Sequence, residues 1–358
     1  MEIKRDMFID CHVHLRDFEK QRHKETIKHG LEVARDSGVD AVFDMTNTEP
    51  PVMDEETLLR RFKLADDADV PEVFYGSYMG LTAESEQIKK AVEIYGKYFP
   101  KVVGFKLFAG HSVGKIGIIR LEDQLTVYGT LAGEGYDGVM TVHAEKESEL
   151  IMKLWDPRIP ISHCLARPEK AEVESVKDQI ALAKYTKFRG KLHIAHISSP
   201  IAVDLVNDAR NKKMNISCGI CPHHFIYDMS QMFNERGVLW KMNPPLRNLN
   251  EHCMMLEYLR IGKIDWVETD HAPHSLDEKT KDPFMSGIPG LSWWPMFAEY
   301  LRYNNFTEKR IEEATFSAVR DRFGIDIEQS RREIKDRRKD YPFNPYESIE
   351  KKIGWEIK

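Results

Sequence analysis

The chain has 358 residues, of which 42% are hydrophobic and 31% charged, so it is long enough for two domains or for one large α/β barrel. Its formal net charge of −6 argues against a general nucleic-acid-binding protein. The sequence has no run of about 18 apolar residues and no signal peptide, and its five cysteines are scattered. These features predict a cytoplasmic protein with reduced thiols and no membrane span.

Short apolar segments alternate with segments of helical periodicity along most of the chain. Strands are predicted at residues 8–14, 41–43, 73–78, 102–105, 139–142, 192–195, 215–218 and 265–268. Helices are predicted at residues 24–36, 54–68, 83–98, 122–132, 146–155, 168–188, from 200 onwards, and at 251–261, 294–303 and 307–323. Because strands joined through helices pair in parallel, eight such repeats predict a closed (β/α)8 barrel of the TIM type.

The barrel is predicted to occupy residues 1–325, and residues 326–358 to form a charged C-terminal extension that packs on it. A basic run from Arg331 to Lys339 lies in this extension and is interrupted by Glu333 and Asp336. The mixture of charges favours a solvated surface over a binding patch.

Two cysteines with CxxC spacing, Cys218 and Cys221, are followed by His223 and His224. This group could form half of a structural zinc site. No second pair follows at the spacing of a zinc finger, so buried strand thiols are the favoured interpretation.

The first predicted strand carries His12 and His14 at positions i and i+2. Both imidazoles therefore point to one face and can reach one metal ion, and Arg16 continues the same face. For so short a motif, polar positions on a half-exposed strand are the alternative interpretation. Further ligands at the ends of other strands would favour the metal site.

The fourth predicted strand leads into Lys106, in apolar surroundings that would lower the pKa of its amine. A neutral amine can add carbon dioxide to become a carbamate, whose two oxygens can bridge two metal ions. A lysine that extends to solvent or pairs with a carboxylate is the alternative.

Three further polar residues stand at strand ends, which is where TIM barrels carry their active sites. They are His143 after the fifth strand, His196 after the sixth and Asp270 after the eighth. His193 lies near the start of its strand, so the ligand role is assigned to His196. Four imidazoles, one lysine and one aspartate suit a binuclear site, most plausibly of zinc, and predict metal-assisted hydrolysis.

The order of these motifs resembles that of the amidohydrolase superfamily and, within it, of the dihydroorotases. The motifs are DCHVHLR (10–16), MTNTEPP (45–51), GFKLF (104–108), VHAE (142–145), AHIS (195–198), CPHHF (221–225), KMNPPLR (241–247) and TDHAPH (269–274). The resemblance covers residues 10–291. It implies reversible hydrolysis of the cyclic amide of dihydroorotate to carbamoyl-aspartate, a step of de novo pyrimidine synthesis.

The resemblance also implies a role for each site residue. His12, His14 and Asp270 would bind one zinc ion and His143 and His196 a second, with carbamylated Lys106 and a hydroxide as bridges. Asp270 would transfer the proton from the hydroxide to the departing ring nitrogen. The substrate carboxylate would be held by Arg16, Asn47 and His274, and the ring would be flanked by Asn243 and the loop 287–290.

Two departures from the family pattern affect this interpretation. Many longer relatives carry a β-sandwich, which is expected to be absent or vestigial here because nine residues precede Asp10. The stretch 109–119, which contains Ser112, is interpreted either as a lid over the substrate or as a plain surface loop.

Several functions stay open at this stage. Another cyclic amidohydrolase, namely a dihydropyrimidinase, hydantoinase or allantoinase, would share the metals but has less reason for the carboxylate-binding set. A non-catalytic barrel scaffold is the alternative from a different class. The expected partner is a small-molecule substrate, with neither nucleic acid nor membrane, and association with a second copy or with another enzyme of pyrimidine synthesis is left open.

Overall fold

The computed structural model describes residues 6–112, 116–328 and 333–357. Within these residues, eight strands form one sheet in which every neighbouring pair is parallel and the spatial order follows the chain. The strands are β1 (Phe8–Val13), β2 (Val39–Asp44), β3 (Phe74–Gly80), β4 (Val102–Phe108), β5 (Val139–His143), β6 (Lys191–Ile194), β7 (Ile216–Ile220) and β8 (Trp266–Val267). The predicted (β/α)8 fold is confirmed.

Helices connect and follow these strands. They are α1 (Ile27–Asp36), α2 (Glu55–Ala68), α3 (Ser85–Tyr98), α4 (Leu121–Gly133), α5 (Ser162–Ala166), α6 (Glu169–Tyr185), α7 (Pro200–Asn211), α8 (Pro222–Ile226), α9 (Leu249–Arg260), α10 (Leu276–Thr280), α11 (Trp294–Tyr303), α12 (Glu308–Glu312), α13 (Ala318–Phe323) and α14 (Glu347–Ile353). Short polar side chains set several of the starts. Asp54, for example, accepts a hydrogen bond from the backbone N–H of Thr57 at 2.8 Å and so caps α2.

Two of the helix predictions are wrong in part. Residues 146–155 form two separate 3-10 turns, Glu147–Glu149 and Met152–Leu154, in place of one helix. Residues 307–323 are helical, but the π-helical stretch Glu313–Ser317 divides them into α12 and α13. Thr315 in this stretch is buried, and its hydroxyl donates hydrogen bonds to the carbonyls of Ile311 and Met7. The contact with the chain before β1 accounts for the local change of helical pitch.

The sheet closes through the segment that follows β8. Val13 forms a parallel bridge with His271, and the backbone N–H of His14 donates to the carbonyl of His271 at 2.8 Å. The side chain of Asp10 accepts from the hydroxyl and the backbone N–H of Thr269 at 2.5 and 3.1 Å. These contacts hold the start and the end of the barrel together.

The barrel interior has an apolar end near the start of the strands. There, Phe323 of α13 contacts Phe43, Tyr78 and Trp266, with ring centroids 4.9 to 6.3 Å apart. Arg322 beside it donates to the carbonyl of Leu192, close to the start of β6, which places α13 under that end of the barrel. The opposite end of the interior, where the strands finish, is called the site end below.

The described part of the C-terminal extension contacts the barrel. Tyr346 is fully buried against Trp293 and Phe297. Tyr341 donates to Glu25, which also accepts from His271 at 3.2 Å. The boundary at residues 325 and 326 stays a prediction.

The described part of the basic run is only partly a solvated surface: Lys335 and Lys339 are exposed, whereas two arginines pack against the barrel and the last helix. Arg337 forms an ion pair with Asp36 of α1 at 2.8 Å and Arg338 one with Glu350, and both arginine side chains are only 20% exposed. Arg331 and Arg332 lie outside the described residues. Among the described residues, no helix combines the length and the apolar character needed to cross a membrane.

Candidate active site

The site end of the barrel brings the predicted residues together. One cavity is lined by nine of the ten, namely His12, His14, Arg16, Asn47, Lys106, His143, His196, Asn243 and Asp270. The tenth, His274, lies behind this wall, with its Nε2 3.3 Å from Nη1 of Arg16. These residues come from seven of the eight strands and the loops that follow them, at the end where TIM barrels carry their active sites.

A first set of donor atoms is formed by His12, His14 and Asp270, whose ligand atoms all lie within 4.8 Å of one another. The Asp270 Oδ1 is 2.9 Å from His14 Nε2 and 3.4 Å from His12 Nε2. Asn47 Oδ1 lies 2.6 Å from His14 Nδ1 and can only accept, so the proton of this ring is on Nδ1. The lone pair of His14 therefore points at Asp270, the orientation a metal ligand needs.

A second set of donor atoms faces the first. His143 Nδ1 and His196 Nε2 are 3.0 Å apart and buried. Lys106 Nζ is buried, has no hydrogen-bond partner in the described parts of the chain, and lies 5.1 Å from the centre of the Phe108 ring. Burial lowers the pKa of Lys106 to about 8, so a substantial fraction of this amine is neutral near pH 7 to 8.

The backbone is strained at two of these positions. His196 has φ of 39° and Asp270 has φ of 49°, in the left-handed region that residues with a Cβ rarely adopt. Such strain persists only where surrounding contacts fix it, and it concentrates at functional sites. Here Glu268 accepts from the backbone N–H of His196 at 2.5 Å, and Asp10 anchors Thr269 beside Asp270.

Glu268 is a functional residue that the sequence reasoning missed. Its fully buried carboxylate lies 3.6 Å from His12 Nδ1, and it accepts from His193 Nε2 and Trp266 Nε1 at 3.0 Å each. Contact with His12 Nδ1 favours a lone pair on Nε2, which faces Asp270. The available signal was its position at the end of the predicted strand 265–268, where a TIM barrel carries its site residues.

Glu145 has the same relation to the second donor set. It lies 3.1 Å from His143 Nε2 and pairs with Arg167 at 2.5 Å. The Arg167 guanidinium and His143 hold the pKa of the Glu145 carboxyl well below its usual range despite complete burial. A carboxylate on Nε2 favours the lone pair of His143 on Nδ1, toward His196.

Arg16 differs from the other buried arginines of the described chain. Arg61, Arg167 and Arg247 each contact a buried carboxylate, of Asp44, Glu145 and Glu172 respectively. Arg16 is 1% exposed, its Nη1 donates to the carbonyl of Pro273 at 3.2 Å, and no ion pair to it occurs among the described residues. Carboxylates such as Asp270 act on Arg16 only from beyond ion-pair distance. A buried cation without a direct ion pair is costly, so this arrangement favours a ligand that brings an anion.

His274 beside Arg16 is neutral, because burial lowers the pKa of its imidazole to about 3. Its Nε2 lies 3.1 Å from the carbonyl oxygen of Ser286. His274 therefore adds no positive charge to this part of the cavity at neutral pH, and the charge comes from Arg16.

The outer wall of the cavity includes Asn243, which donates to Ser112 Oγ at 3.4 Å and accepts from His163 Nε2 at 3.1 Å. His163 was not predicted, and its position in α5 carries no motif. Gly287 also lines the cavity, with φ of 131°, and a Cβ there would lie 2.6 Å from the carbonyl oxygen of Ala272. In the stretch 109–119, residues 113–115 lie outside the described residues, and both interpretations, a lid or a plain surface loop, stay open.

Comparison with known proteins gives relatives named dihydroorotase, although no family model matches the chain. The chain is 31% identical to the dihydroorotase of Thermococcus kodakarensis over 283 residues, which are 79% of this chain and 59% of that protein. It is 32% identical to the dihydroorotase of Brevibacillus brevis over 293 residues, 79% of this chain and 64% of that protein. The chain therefore spans about three fifths of the length of these relatives.

Solved structures show the same fold. The L-hydantoinase of Arthrobacter aurescens superposes with a TM-score of 0.77 at 21% identity, over 89% of this chain and 71% of that chain. A dihydropyrimidinase from Brevibacillus agri superposes with a TM-score of 0.73 at 19% identity, over 89% and 71% of the two chains. The resemblance that the strand-end motifs indicated is confirmed: the chain is similar in sequence to dihydroorotases over 79% of its length, and it has a (β/α)8 barrel.

Proposed function

We propose that the chain is a dihydroorotase, which hydrolyses the cyclic amide of dihydroorotate to carbamoyl-aspartate and catalyses the reverse ring closure in pyrimidine synthesis. The observation that carries this proposal is the buried Arg16 without a counter-ion, next to two sets of metal-ligating atoms. Dihydroorotate has a carboxylate on its ring, whereas hydantoin and dihydropyrimidines have none there. The substrate's own anion would complete the charge balance of the cavity.

The residues at the site end fit two zinc ions. His12, His14 and Asp270 would hold one and His143 and His196 the other, with Lys106 as a carbamate bridging both. Two observations support this fit. The ligand atoms of His12, His14 and Asp270 lie close together, and the Lys106 amine is buried without a hydrogen-bond partner among the described residues. When bound, zinc supplies Lewis acidity for the amide carbonyl and acidifies water near neutral pH.

The protein's own groups would orient the substrate and move the proton. Arg16 and Asn47 would donate to the carboxylate, because both line the cavity and Asn47 directs its oxygen to His14, which leaves its amide N–H groups as the donors for a ligand. Asn243 and the loop that begins at Gly287 would lie against the ring. Asp270 would take the proton from the attacking water and pass it to the ring nitrogen as the amide bond breaks.

The reaction implied by this site needs a small-molecule substrate only. A dihydroorotase of pyrimidine synthesis would act in the cytoplasm, alone, as a homo-oligomer or beside another enzyme of the same synthesis. Size measurement of the purified protein distinguishes a monomer from a homo-oligomer.

The proposal is tested by comparing turnover of dihydroorotate, hydantoin, dihydrouracil and allantoin by the zinc-loaded protein. Dihydroorotate should be the preferred substrate. Arg16→Gln should lower kcat/KM for dihydroorotate by about 100-fold to 1000-fold, because a buried charge-assisted contact is lost. Arg158→Gln, which changes an arginine 87% exposed on the surface, is the control and should leave the rate unchanged.

Two outcomes contradict the proposal. One is turnover of hydantoin or dihydrouracil with none of dihydroorotate, which would favour another cyclic amidohydrolase. The other is a protein that binds no zinc and hydrolyses none of the four, which would favour a non-catalytic barrel.

A further inference from the structure

A separate group of metal-ligating side chains follows β7, outside the donor sets described above. Cys221 comes directly after the strand, and His223 and His224 stand in the short helix α8. All three are buried, with exposures of 0%, 1% and 4%. One ligand atom from each lies within 4.8 Å of the other two.

The two imidazoles have ring nitrogens with no partner. Among the described residues, neither Nδ1 nor Nε2 of His223 has a hydrogen-bond partner, and Nδ1 of His224 has none. Leaving a buried polar atom without a partner costs about 1 to 3 kcal/mol. Two adjacent histidines with three such atoms therefore indicate a ligand that these nitrogens bind.

The remaining nitrogen of His224 shows which atom is available. Its Nε2 lies 3.1 Å from the carbonyl oxygen of Pro244, an acceptor, so Nε2 carries the proton. The lone pair of His224 is then on Nδ1, the atom without a partner. A backbone carbonyl on the far nitrogen is the usual support of a metal-ligating histidine.

The chemistry of the three donors indicates the kind of ion. One thiolate and two imidazoles form a borderline-to-soft set that suits zinc and excludes magnesium and calcium, which prefer oxygen ligands. We propose that Cys221, His223 and His224 bind one zinc ion, with the fourth position filled by water. The Cys221 thiol would release its proton to solvent as the sulfur binds the metal.

This ion would be distinct from the two of the proposed function, and the two proposals stand independently. The first donor set consists of imidazoles and a carboxylate, and the second of imidazoles and an amine. The metal at Cys221 would instead fix α8 against Pro244, the neighbour of Asn243 in the cavity wall. Its expected role is to hold that wall in place.

Cobalt distinguishes the sites, because a thiolate bound to Co²⁺ gives a charge-transfer absorption in the near ultraviolet that nitrogen and oxygen ligands do not give. The full chain is stripped with a chelator, loaded with Co²⁺ alone until the spectrum is constant, and compared with its variants. Wild type should show the band, and Cys221→Ser should lose it. Total zinc should fall by one ion per chain in Cys221→Ser.

Two matched thiol variants serve as controls. Cys218 is buried on the same strand and lies outside the group, and Cys11 is buried beside Glu268 under His12. Cys218→Ser and Cys11→Ser should both keep the band. A band lost in Cys11→Ser and kept in Cys221→Ser would overturn the assignment to Cys221.

A second variant covers the case in which Cys221→Ser does not fold. His223→Asn keeps the thiol and should weaken zinc binding at this site more than about 100-fold, since even a supporting contact is worth 10-fold to 100-fold. The absence of a band in cobalt-saturated wild type would overturn the proposal whatever the variants do. Failure of the dihydroorotase assay would not affect the band, so the two proposals can fail separately.

Discussion

The two ends of the barrel interior contain different kinds of side chain, aromatic at one end and charged at the other. The apolar end is filled by aromatic rings such as Phe43 and Phe323, whose centroids are 4.9 Å apart, and the polar atoms of its Tyr78 and Trp266 are hydrogen-bonded. The site end buries charged groups, and Lys106 Nζ has no partner there while Arg16 has no counter-ion. Packed apolar surface stabilises a fold, whereas unpaired buried charge destabilises it. The side chains that stabilise the barrel and those proposed to carry its chemistry therefore lie in different layers of its interior.

The largest expected effect comes from a substitution that changes the chemistry of the site end without changing its shape. Asp270→Asn should lower kcat/KM for dihydroorotate by about 10³-fold to 10⁴-fold, because the amide cannot accept the proton and is a poorer metal ligand. The melting temperature should change by less than about 3 °C, since no packing is lost. Steady-state kinetics and thermal unfolding of the same preparation measure both. Activity above one tenth of wild type would remove Asp270 from the reaction.

Lys106 tests the site end in a second way. Lys106→Ala should lower activity by about 10³-fold, with partial recovery in added acetate or propionate, because a small carboxylate can replace the proposed carbamate between the metals. Lys279 is an equally buried lysine whose amine donates to the carbonyls of Lys241 and Gly287. Lys279→Ala should not be rescued by carboxylates. Rescue of both variants, or wild-type activity in Lys106→Ala, would contradict the proposed bridge.

The apolar end should respond in the opposite manner. Phe323→Ala removes a ring that contacts Phe43, Tyr78 and Trp266, and should lower the free energy of unfolding by about 3 to 5 kcal/mol. At temperatures where the variant is folded, kcat should stay within about twofold of wild type. Urea unfolding and kinetics measure the two quantities. A loss of kcat with unchanged stability would show that the two ends are not separate.

The smallest expected effect comes from a charged contact that does stabilise the site end. The hydrogen bond to Glu25 raises the pKa of His29 to about 9, and Asp340 of the extension lies 3.0 Å from its other nitrogen. Because the folded pKa exceeds the ordinary value of 6.5, the stabilisation is complete below about pH 6.5 and is lost as pH rises through about 9. The expected loss is about 1 to 2 kcal/mol after solvent screening.

Urea unfolding at pH 6.5 and 9.5 measures this effect, with His29→Gln as the comparison. The variant should lack that part of the pH dependence, since a glutamine does not titrate. An identical change in wild type and variant would assign the pH dependence to other groups.

The sequence predicted most of the fold because its signals were local and repeated. Eight apolar segments separated by helices left one arrangement, and the starts of α2 and α7 followed from Asp54 and Pro200. Residues 146–155 failed because their apolar residues have helical spacing, while in the structure they form two turns that contact α5 and α6. No local pattern could show that competition.

The sequence predicted the residues that line the site but not the buried groups that support them. Strand-end positions named the residues that line the cavity, but the supporting carboxylates depend on what each buried group meets in three dimensions. Glu268 and Glu145 look like ordinary acidic residues in the sequence, and burial beside His12 and His143 makes them part of the site. Likewise, the CxxC spacing drew attention to Cys218, whereas the structure groups Cys221 with the two histidines after it.

The closure of the barrel through Asp10 and Thr269 has a consequence for how the protein is made. The two residues are 259 positions apart, and His14 is 256 positions from Asp270. A nascent chain leaving the ribosome therefore carries His12 and His14 long before it contains Asp270, the carboxylate that completes their donor set. A chain released before Asp270 is made would keep those two histidines without the third ligand. A metal ion would therefore bind at the first donor set late, after the start and the end of the barrel have come together.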